Sequence, residues 1–449
     1  MEISALILAA GASVRMKSKT PKVLHNILGR PIISYVIDCV KSAGVKTIAI
    51  VVGNHAEEVI VELGSEFRYI PQPSQLGTGD AVIKSRTAFE GKPGYLLVLC
   101  GDTPLIRQST IQSMIELAEK ENPACVMLTA KVPDPIGYGR ILRDSWGNIK
   151  AIVEERDAKP EERMISEVNA GLYLFNIETL WPALDKITPN NEQKEYYLTD
   201  VISNLYDMEK KILSVKSQDL DEYRGINNRW QLAEITGSLL IKRLKELALS
   251  GVTIIDPGST YIENSVAIEP DVTIYPQTYL AGKMSIGEGS EIGPFVFLNG
   301  KKDGITIGKN VKIGPFVRMR PPMTIEDDAS VGCFIDLKNT KIGKNSKVPH
   351  LSYIGDCTIG ENSNIGAGTI TCNYDGVNKN KTKIGDNVFI GSDTMLVAPV
   401  EIGNGAYTGA GSVITKNIPE DALAVERSPM QIKEGWAKKK RQSQKGEEK

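Results

Sequence analysis

From Ile262 an aliphatic residue returns at every sixth position, through Ile268, Ile274, Leu280, Ile286 and Ile292 to Leu298, and again from Ile307 through Ile313, Met319, Ile325 and Val331 to Leu337. Two five-residue steps follow, before Ile342 and before Ile359. A longer break then precedes Ile384, Ile390, Leu396, Ile402, Thr408 and Ile414. A period of six suits neither an α-helix nor a hairpin sheet. It suits a solenoid in which each hexapeptide makes one short strand and a corner, and three make a coil. The anchors then point inward, while Gly289, Asn310, Asn345, Asn362 and Asn387 fall where the chain must turn at positive φ. Twenty-odd hexapeptides give roughly eight coils, a prism about 40 Å long at ~4.8 Å per paired strand. The period leaves the hand of the coil open.

A chain of 449 residues has room for two or three domains. Lys plus Arg is 53 against Asp plus Glu 55, so no global charge draws it to nucleic acid or an acidic membrane. Its six cysteines are scattered without Cys-x-x-Cys spacing, which argues against a zinc site and fits a reducing cytoplasm. Leu6 to Ala10 is too short and too early for a signal peptide, and no apolar run approaches the ~20 residues that insertion across a membrane needs.

Before the repeats, strand-like and helix-like segments alternate, which predicts an α/β domain with a mostly parallel, Rossmann-like sheet. Strands are expected at 3–9, 47–52, 68–71, 95–100 and 124–130, with helices at 32–42, 56–63, 81–89 and 109–119. Ligands of such sheets bind beyond the carboxyl ends of the strands. The first of those loops reads Leu8-Ala9-Ala10-Gly11-Ala12-Ser13-Val14-Arg15-Met16, followed by Pro21-Lys22. Its small residues let backbone amides approach phosphate, and Arg15 and Lys22 bring charge for a polyphosphate. The dinucleotide spacing Gly-x-Gly-x-x-Gly is absent. This set of Gly, Arg and Pro-Lys resembles the signature of sugar-nucleotide pyrophosphorylases, whose arginine and lysine stabilise a nucleoside triphosphate under attack by a sugar 1-phosphate.

The loop from Gln72 to Asp80 offers the amides of Gln72 and Gln75, with Gly77 and Thr78, to a nucleobase. Asp102 ends a buried strand and reads equally as a metal ligand or a helix cap. Gly139, Glu154 and Asn169 stand in turns at strand ends. Taken in this order, from about Ile3 to about Trp436, the motifs resemble the bifunctional N-acetylglucosamine-1-phosphate uridylyltransferase and glucosamine-1-phosphate N-acetyltransferase, the GlmU family. The resemblance implies that Leu8 to Gly11, Lys22, Gln72, Gln75, Gly77 and Thr78 surround the nucleotide and that Gly139, Glu154 and Asn169 hold the amino sugar. Asp102 and Asn227 would carry Mg²⁺ at one or two sites, with UTP as co-substrate. One departure is visible: Ser13 and Val14 stand where the family loop has a second glycine and a threonine.

Asn227-Asn228-Arg229-Trp230 opens a helix to about Ser250, and Asn227 reads from sequence alone as its cap. In the repeats, His350 sits on a coil, and Arg320, Lys338, Tyr353 and Asn364 occupy comparable positions on nearby coils. A solenoid would stack them on one face, and imidazole is the base that an attacking amine needs. The resemblance implies a left-handed parallel β-helix with His350 as proton acceptor and Arg320, Lys338, Tyr353 and Asn364 at the sugar phosphate. A backbone amide near Ala367 would meet the oxyanion. Asn373 and Tyr374 would lie at the sugar and the acetyl-CoA beside it, and Ser392, Ala410 and Arg427 along acetyl-CoA. Lys379 would be contributed across the interface of a homotrimer. The domains expected are 1–224, a linker helix 225–251, the solenoid 252–424 and a charged, solvated, partly disordered tail 425–449. Two other readings share these modules: a guanylyl- or adenylyltransferase using the solenoid only for assembly, and a non-catalytic regulatory subunit.

Overall fold

The computed structural model describes residues 1–446 apart from Ala12, Gln218 and Leu220, with only the backbone described over 444–446. The chain divides into two compact units, Met1–Leu240 and Ile241–Lys449. The division falls inside the helix Arg229–Leu249.

The first unit is built on a sheet with strand order Ile212–Lys216, Cys125–Lys131, Glu167–Asn176, Tyr95–Cys100, Ile3–Ala9, Thr47–Val52 and Arg68–Pro71. Pairing along that path is parallel except at Glu167–Asn176, which runs antiparallel to both neighbours. Four expected strands have the bounds read from sequence, and the fifth shifts by one residue to Cys125–Lys131. Four of the five are legible as short apolar runs buried on both faces, whereas Arg68–Pro71 is an edge strand with Ile70 alone buried. Leu6, Val98 and Met127 enter one core, while Ile7, Leu97, Leu99 and Val126 enter the other.

The helices Ile32–Ser42 and Ala56–Leu63 also match, whereas the single helix expected over 81–89 is two, Thr78–Lys84 and Arg86–Phe89. Ser85 makes the break. It is fully buried, its hydroxyl donates to the carbonyl of Val82 at 2.6 Å, and its own carbonyl accepts from Ala88 N–H.

In the second unit the parallel strands fall into three rows. Tyr261 pairs with Tyr279 and Tyr279 with Phe297, each eighteen residues on, so a coil is three hexapeptides. Every anchor named above is buried except Ile268, which is half-buried. The corners expected at 289, 310, 345, 362 and 387 all have positive φ. Each five-residue step shortens a coil, and Asp336 accordingly pairs with Tyr353, seventeen residues on. In the same region the strands Val317–Ile325, Ile335–Ile342 and Tyr353–Ile359 run through a corner from one row into the next. The tail is exposed, and Trp436–Gly446 within it is helical rather than irregular. Lys, Arg and Gln are good helix formers, and Lys440 lies over the Trp436 ring at 5.2 Å, one turn away. Glu447 and Glu448, counted with that tail, lie outside the described residues.

Candidate active sites

In the first unit, Leu8 to Gly11, Lys22, Gln72, Gln75, Gly77, Thr78 and Asp102 line one cavity of about 450 Å³ at the carboxyl ends of the strands. Its charged floor is assembled from distant sequence. The Lys22 ammonium pairs with the Asp102 carboxylate and lies 3.4 Å from Asn227 Oδ1, which also accepts from Arg15 Nη2 at 2.9 Å. Lys22 and Asp102 are both largely covered, so neither charge is well hydrated without the other. The helix-cap readings of Asp102 and Asn227 are both overturned. The next helix after Asp102 begins at Gln108, and the cap of Arg229–Leu249 is Asn228, whose Oδ1 accepts from Gln231 N–H at 2.9 Å.

The loops around this floor hold each other. Gln75 Nε2 donates to the carbonyl of Ala10 at 2.7 Å, and Gln72 Nε2 donates to the carbonyl of Gly77 and to Asp80. Both donors of the Gln72 amide nitrogen are thus spent on loop geometry, while Gln75 keeps one N–H besides its carbonyl oxygen for a ligand. Gly77 has φ +107, and a side chain there would collide with the Tyr196 carbonyl. Ser13 occupies φ +55, a conformation that glycine adopts at little cost. Its hydroxyl donates to the Gly11 carbonyl at 3.3 Å and accepts from Lys22 N–H at 2.9 Å. That hydroxyl therefore braces the loop rather than standing free for phosphate. Cys100 in the cavity wall stays a thiol, pushed up to about 12 by burial and by the Asp102 charge.

Gly139, Glu154 and Asn169 form an adjoining group. Asn169 N–H donates to the Gly139 carbonyl at 2.9 Å, and its side chain donates to Tyr173 Oη at 2.6 Å. The register of its strand shifts between Asn169 and Tyr173, so a bulge aims Asn169. Burial raises the Glu154 carboxyl, opposed by the hydrogen bond from Thr199.

In the second unit the expected single face is two rows meeting at a corner. Arg320 is level with Lys338, and Asp336 with Tyr353, on one row. His350 and Asn364 belong to the neighbouring row, because the chain turns at Leu351 before reaching Tyr353. On the first row, Asp336 accepts from Arg320 at 3.0 and 3.3 Å, and the guanidinium lies 5.8 Å from the Tyr353 ring centroid. Asp356 accepts from the side-chain amides of Asn339 and Asn373, at 2.7 and 2.5 Å, and lies 3.8 Å from the Lys338 ammonium. Burial opposes the Asp356 charge, but those amides with Lys338 and Lys379 outweigh it and hold the carboxyl below its usual range. Lys379 contacts Lys338 and lowers its pKa. Within its own chain it therefore stands beside the Lys338–Asp356 cluster. Gly355 keeps the centre open, since a side chain there would meet Tyr353 Oη and the Asn373 amide.

His350 lies on a corner edge whose successive levels are joined by the backbone. Leu351 N–H donates to the Cys333 carbonyl, Gly368 to His350, Asp393 to Ala367 and Gly411 to Ser392. One edge therefore presents His350, Ala367, Ser392 and Ala410 in file, as the repeat arithmetic requires. Tyr374 and Arg427 are exposed, and no described contact joins them to this file. Sequence reasoning missed Asp336, Asp356 and Cys333. The only signal was their place on coils level with residues already chosen.

A nucleotidyltransferase-type cavity in one unit and a coiled hexapeptide stack in the other define a two-module transferase. The MobA-like NTP transferase domain matches residues 5–167, and the bacterial transferase hexapeptide matches 339–372 and 381–416. The bifunctional protein GlmU of Heliobacterium modesticaldum is 45% identical over 97% of this chain and 98% of its own length. That of Desulfitobacterium hafniense is 43% identical over 98% and 99%. A UDP-glucose pyrophosphorylase solved with UDP-glucose is similar at TM-score 0.44 and 19% identity, over 54% of this chain and all of that one. The chain belongs to the bifunctional GlmU family, and its repeats form the left-handed parallel β-helix.

Proposed function

We propose that each unit carries one of two consecutive reactions. The chain is an enzyme of UDP-N-acetylglucosamine synthesis: it transfers acetyl from acetyl-CoA to glucosamine 1-phosphate, then uridylyl from UTP to N-acetylglucosamine 1-phosphate, releasing pyrophosphate. The observation that carries this reading is the convergence of Arg15 and Asn227 on the Lys22–Asp102 pair of the first unit's cavity, together with a separate edge in the second unit that bears His350.

In uridylyl transfer a phosphate oxygen of the sugar 1-phosphate attacks the α-phosphorus, and the bond to pyrophosphate breaks. Arg15 and Lys22 offset the charge that gathers on the triphosphate. Gly139, Glu154 and Asn169 hold the sugar, and Gln72, Gln75, Gly77 and Thr78 surround uracil and ribose. The oxygens of Asp102 and Asn227 converge on the Lys22 ammonium, which occupies a cation position between two hard donors. Such a donor set fits Mg²⁺: Asp102 and Asn227 would hold the ion, and Lys22 would then be free to meet the phosphates. Bound there, the ion supplies positive charge against the triphosphate oxygens.

In acetyl transfer the amine attacks the thioester carbon, His350 accepts the amine proton, and the CoA thiolate leaves without an acyl-enzyme. Arg320 and Lys338 answer the sugar phosphate, with Tyr353 and Asn364 orienting it. Acetyl-CoA runs along the edge of Ala367, Ser392 and Ala410, with Asn373, Tyr374 and Arg427 beside it. A homotrimer with acetyl sites between chains follows the same family reading, with Lys379 then meeting a neighbour's site. On the family reading its place is the cytoplasm, and six free thiols suit such a reducing compartment; no helix among the described residues is long and apolar enough to cross a membrane. The test supplies UTP, Mg²⁺, acetyl-CoA and glucosamine 1-phosphate together and follows thiol and pyrophosphate release separately. Both signals should rise. Neither signal in this mixture, with pyrophosphate appearing only when GTP or ATP replaces UTP, would favour the assembly-only solenoid.

A further inference from the structure

We infer that Cys333 is a positioning residue for acetyl transfer, holding the His350 ring so that Nε2 faces the amine as a bare lone pair. The proposal rests on the reading of His350 as the base. Cys333 Sγ lies 3.3 Å from His350 Nδ1. The strands Ser330–Cys333 and Lys347–His350 are parallel with Cys333 and His350 in register, so the sulfur and the ring stand one above the other on successive coils.

The backbone on both sides of the contact is pinned. Leu351 N–H donates to the Cys333 carbonyl at 3.0 Å, and the His350 carbonyl accepts from Ser352 Oγ at 2.8 Å and from Gly368 N–H at 3.4 Å. Gly332 packs so tightly on the Pro349 carbonyl that no side chain fits between them, which fixes the distance between the two coils just before the pair. With the backbone held, the remaining freedom of His350 is the rotation of its ring. The sulfur is the polar atom that meets Nδ1.

A neutral imidazole carries one N–H and one lone pair, and the partner at one nitrogen decides what the other presents. With Nδ1–H donated to sulfur, Nε2 is left to take the proton of the attacking amine. With the thiol donating to Nδ1 instead, Nε2 carries the hydrogen and cannot act as base. Thiol sulfur is a weak partner in both senses. It orients the ring without placing a negative charge beside it, and on the neighbouring row Asp336 and Asp356 are each paired with a cation.

The test compares Cys333→Ala, Cys333→Ser and His350→Ala in the full chain, measuring acetyl transfer against glucosamine 1-phosphate and pH, with uridylyl transfer as internal control. Loss of one orienting hydrogen bond corresponds to a roughly tenfold change. Cys333→Ala should lower kcat by about that factor at an unchanged KM and alter the pH profile of kcat. Cys333→Ser, which keeps an acceptor, should restore most of it, and His350→Ala should abolish the reaction. With His350→Ala inactive, a Cys333→Ala enzyme within twofold of the parent, or one whose kcat and KM change together with no rescue by serine, would overturn the proposal. If His350→Ala itself retained acetyl transfer, the base reading would fail first and the positioning role with it. Nitrogen-15 spectra of the His350 ring give an independent check, with Nδ1 protonated in the parent and a mixture of tautomers in Cys333→Ala.

Discussion

The two units assemble their sites by opposite means. In the first, Arg15 and Lys22 from one loop meet Asp102 and Asn227 from two distant stretches, and what unites them is an ion pair and hydrogen bonds to an amide oxygen at the end of a sheet. In the second, Cys333, His350, Ala367, Ser392 and Ala410 line up because the backbone repeats itself coil after coil. A sheet-end site therefore depends on a few mutual contacts between loops. A solenoid site depends on the count of residues between anchors.

Removing divalent ions should separate the units most strongly. Chelation is expected to cut uridylyl transfer by about 10³-fold while acetyl transfer stays within twofold, since the proposed metal role belongs to Asp102 and Asn227 of the first site, whereas Asp336 and Asp356 of the second are paired with Arg320 and Lys338. Parallel losses in both would break the comparison. Next, Leu337→Ala empties an inward position between Asp336 and Lys338 and should cost about 2–5 kcal/mol. Thermal melts followed by both assays should show acetyl transfer failing at the lower temperature with uridylyl transfer intact. A single shared transition would mean that the units unfold together.

Replacing Lys338 by methionine removes the proposed phosphate contact but keeps the stem, and the KM for glucosamine 1-phosphate should rise about tenfold, as for a lost charge-assisted bond. A rise in kcat alone would argue against that contact. The smallest effect concerns Asp200, whose carboxyl is raised to about 6 by burial and by Asp157. Folding then favours the protonated form, so stability declines as pH rises from the ordinary carboxylate range to about 6 and the penalty is complete above it. Asp200→Asn should therefore stabilise the first unit by about 1 kcal/mol at pH 7, after discounting for the group's partial exposure, and bring no gain near pH 3. Denaturant melts at the two pH values check both parts.

Legibility follows the same division. The solenoid was open to counting because Ile, Leu and Val recur wherever a side chain must be inside. The strands Thr47–Val52 and Tyr95–Cys100 were legible as apolar runs too short for helices. The antiparallel course of Glu167–Asn176 was not, because apolar content says nothing of direction. Nor was the break at Ser85, which looks like any small residue in a helix until its hydroxyl is seen turned onto the preceding turn. Asn227 and Asn228 are equivalent on paper, and only the fold makes one the cap and the other the partner of Arg15 and Lys22. Asp336 and Asp356 hid among the many acidic corner residues of the repeats. Placing His350 with Tyr353 on one face failed because a corner lies between them.

The most direct test is a crossed pair of substitutions, Asp102→Ala and His350→Ala, each assayed for thiol and for pyrophosphate release with the appropriate sugar phosphate supplied. The account predicts that Asp102→Ala loses only pyrophosphate release and His350→Ala only thiol release, each by about 10³-fold or more. Loss of both signals in either variant would contradict the claim that the chain carries two separately built sites.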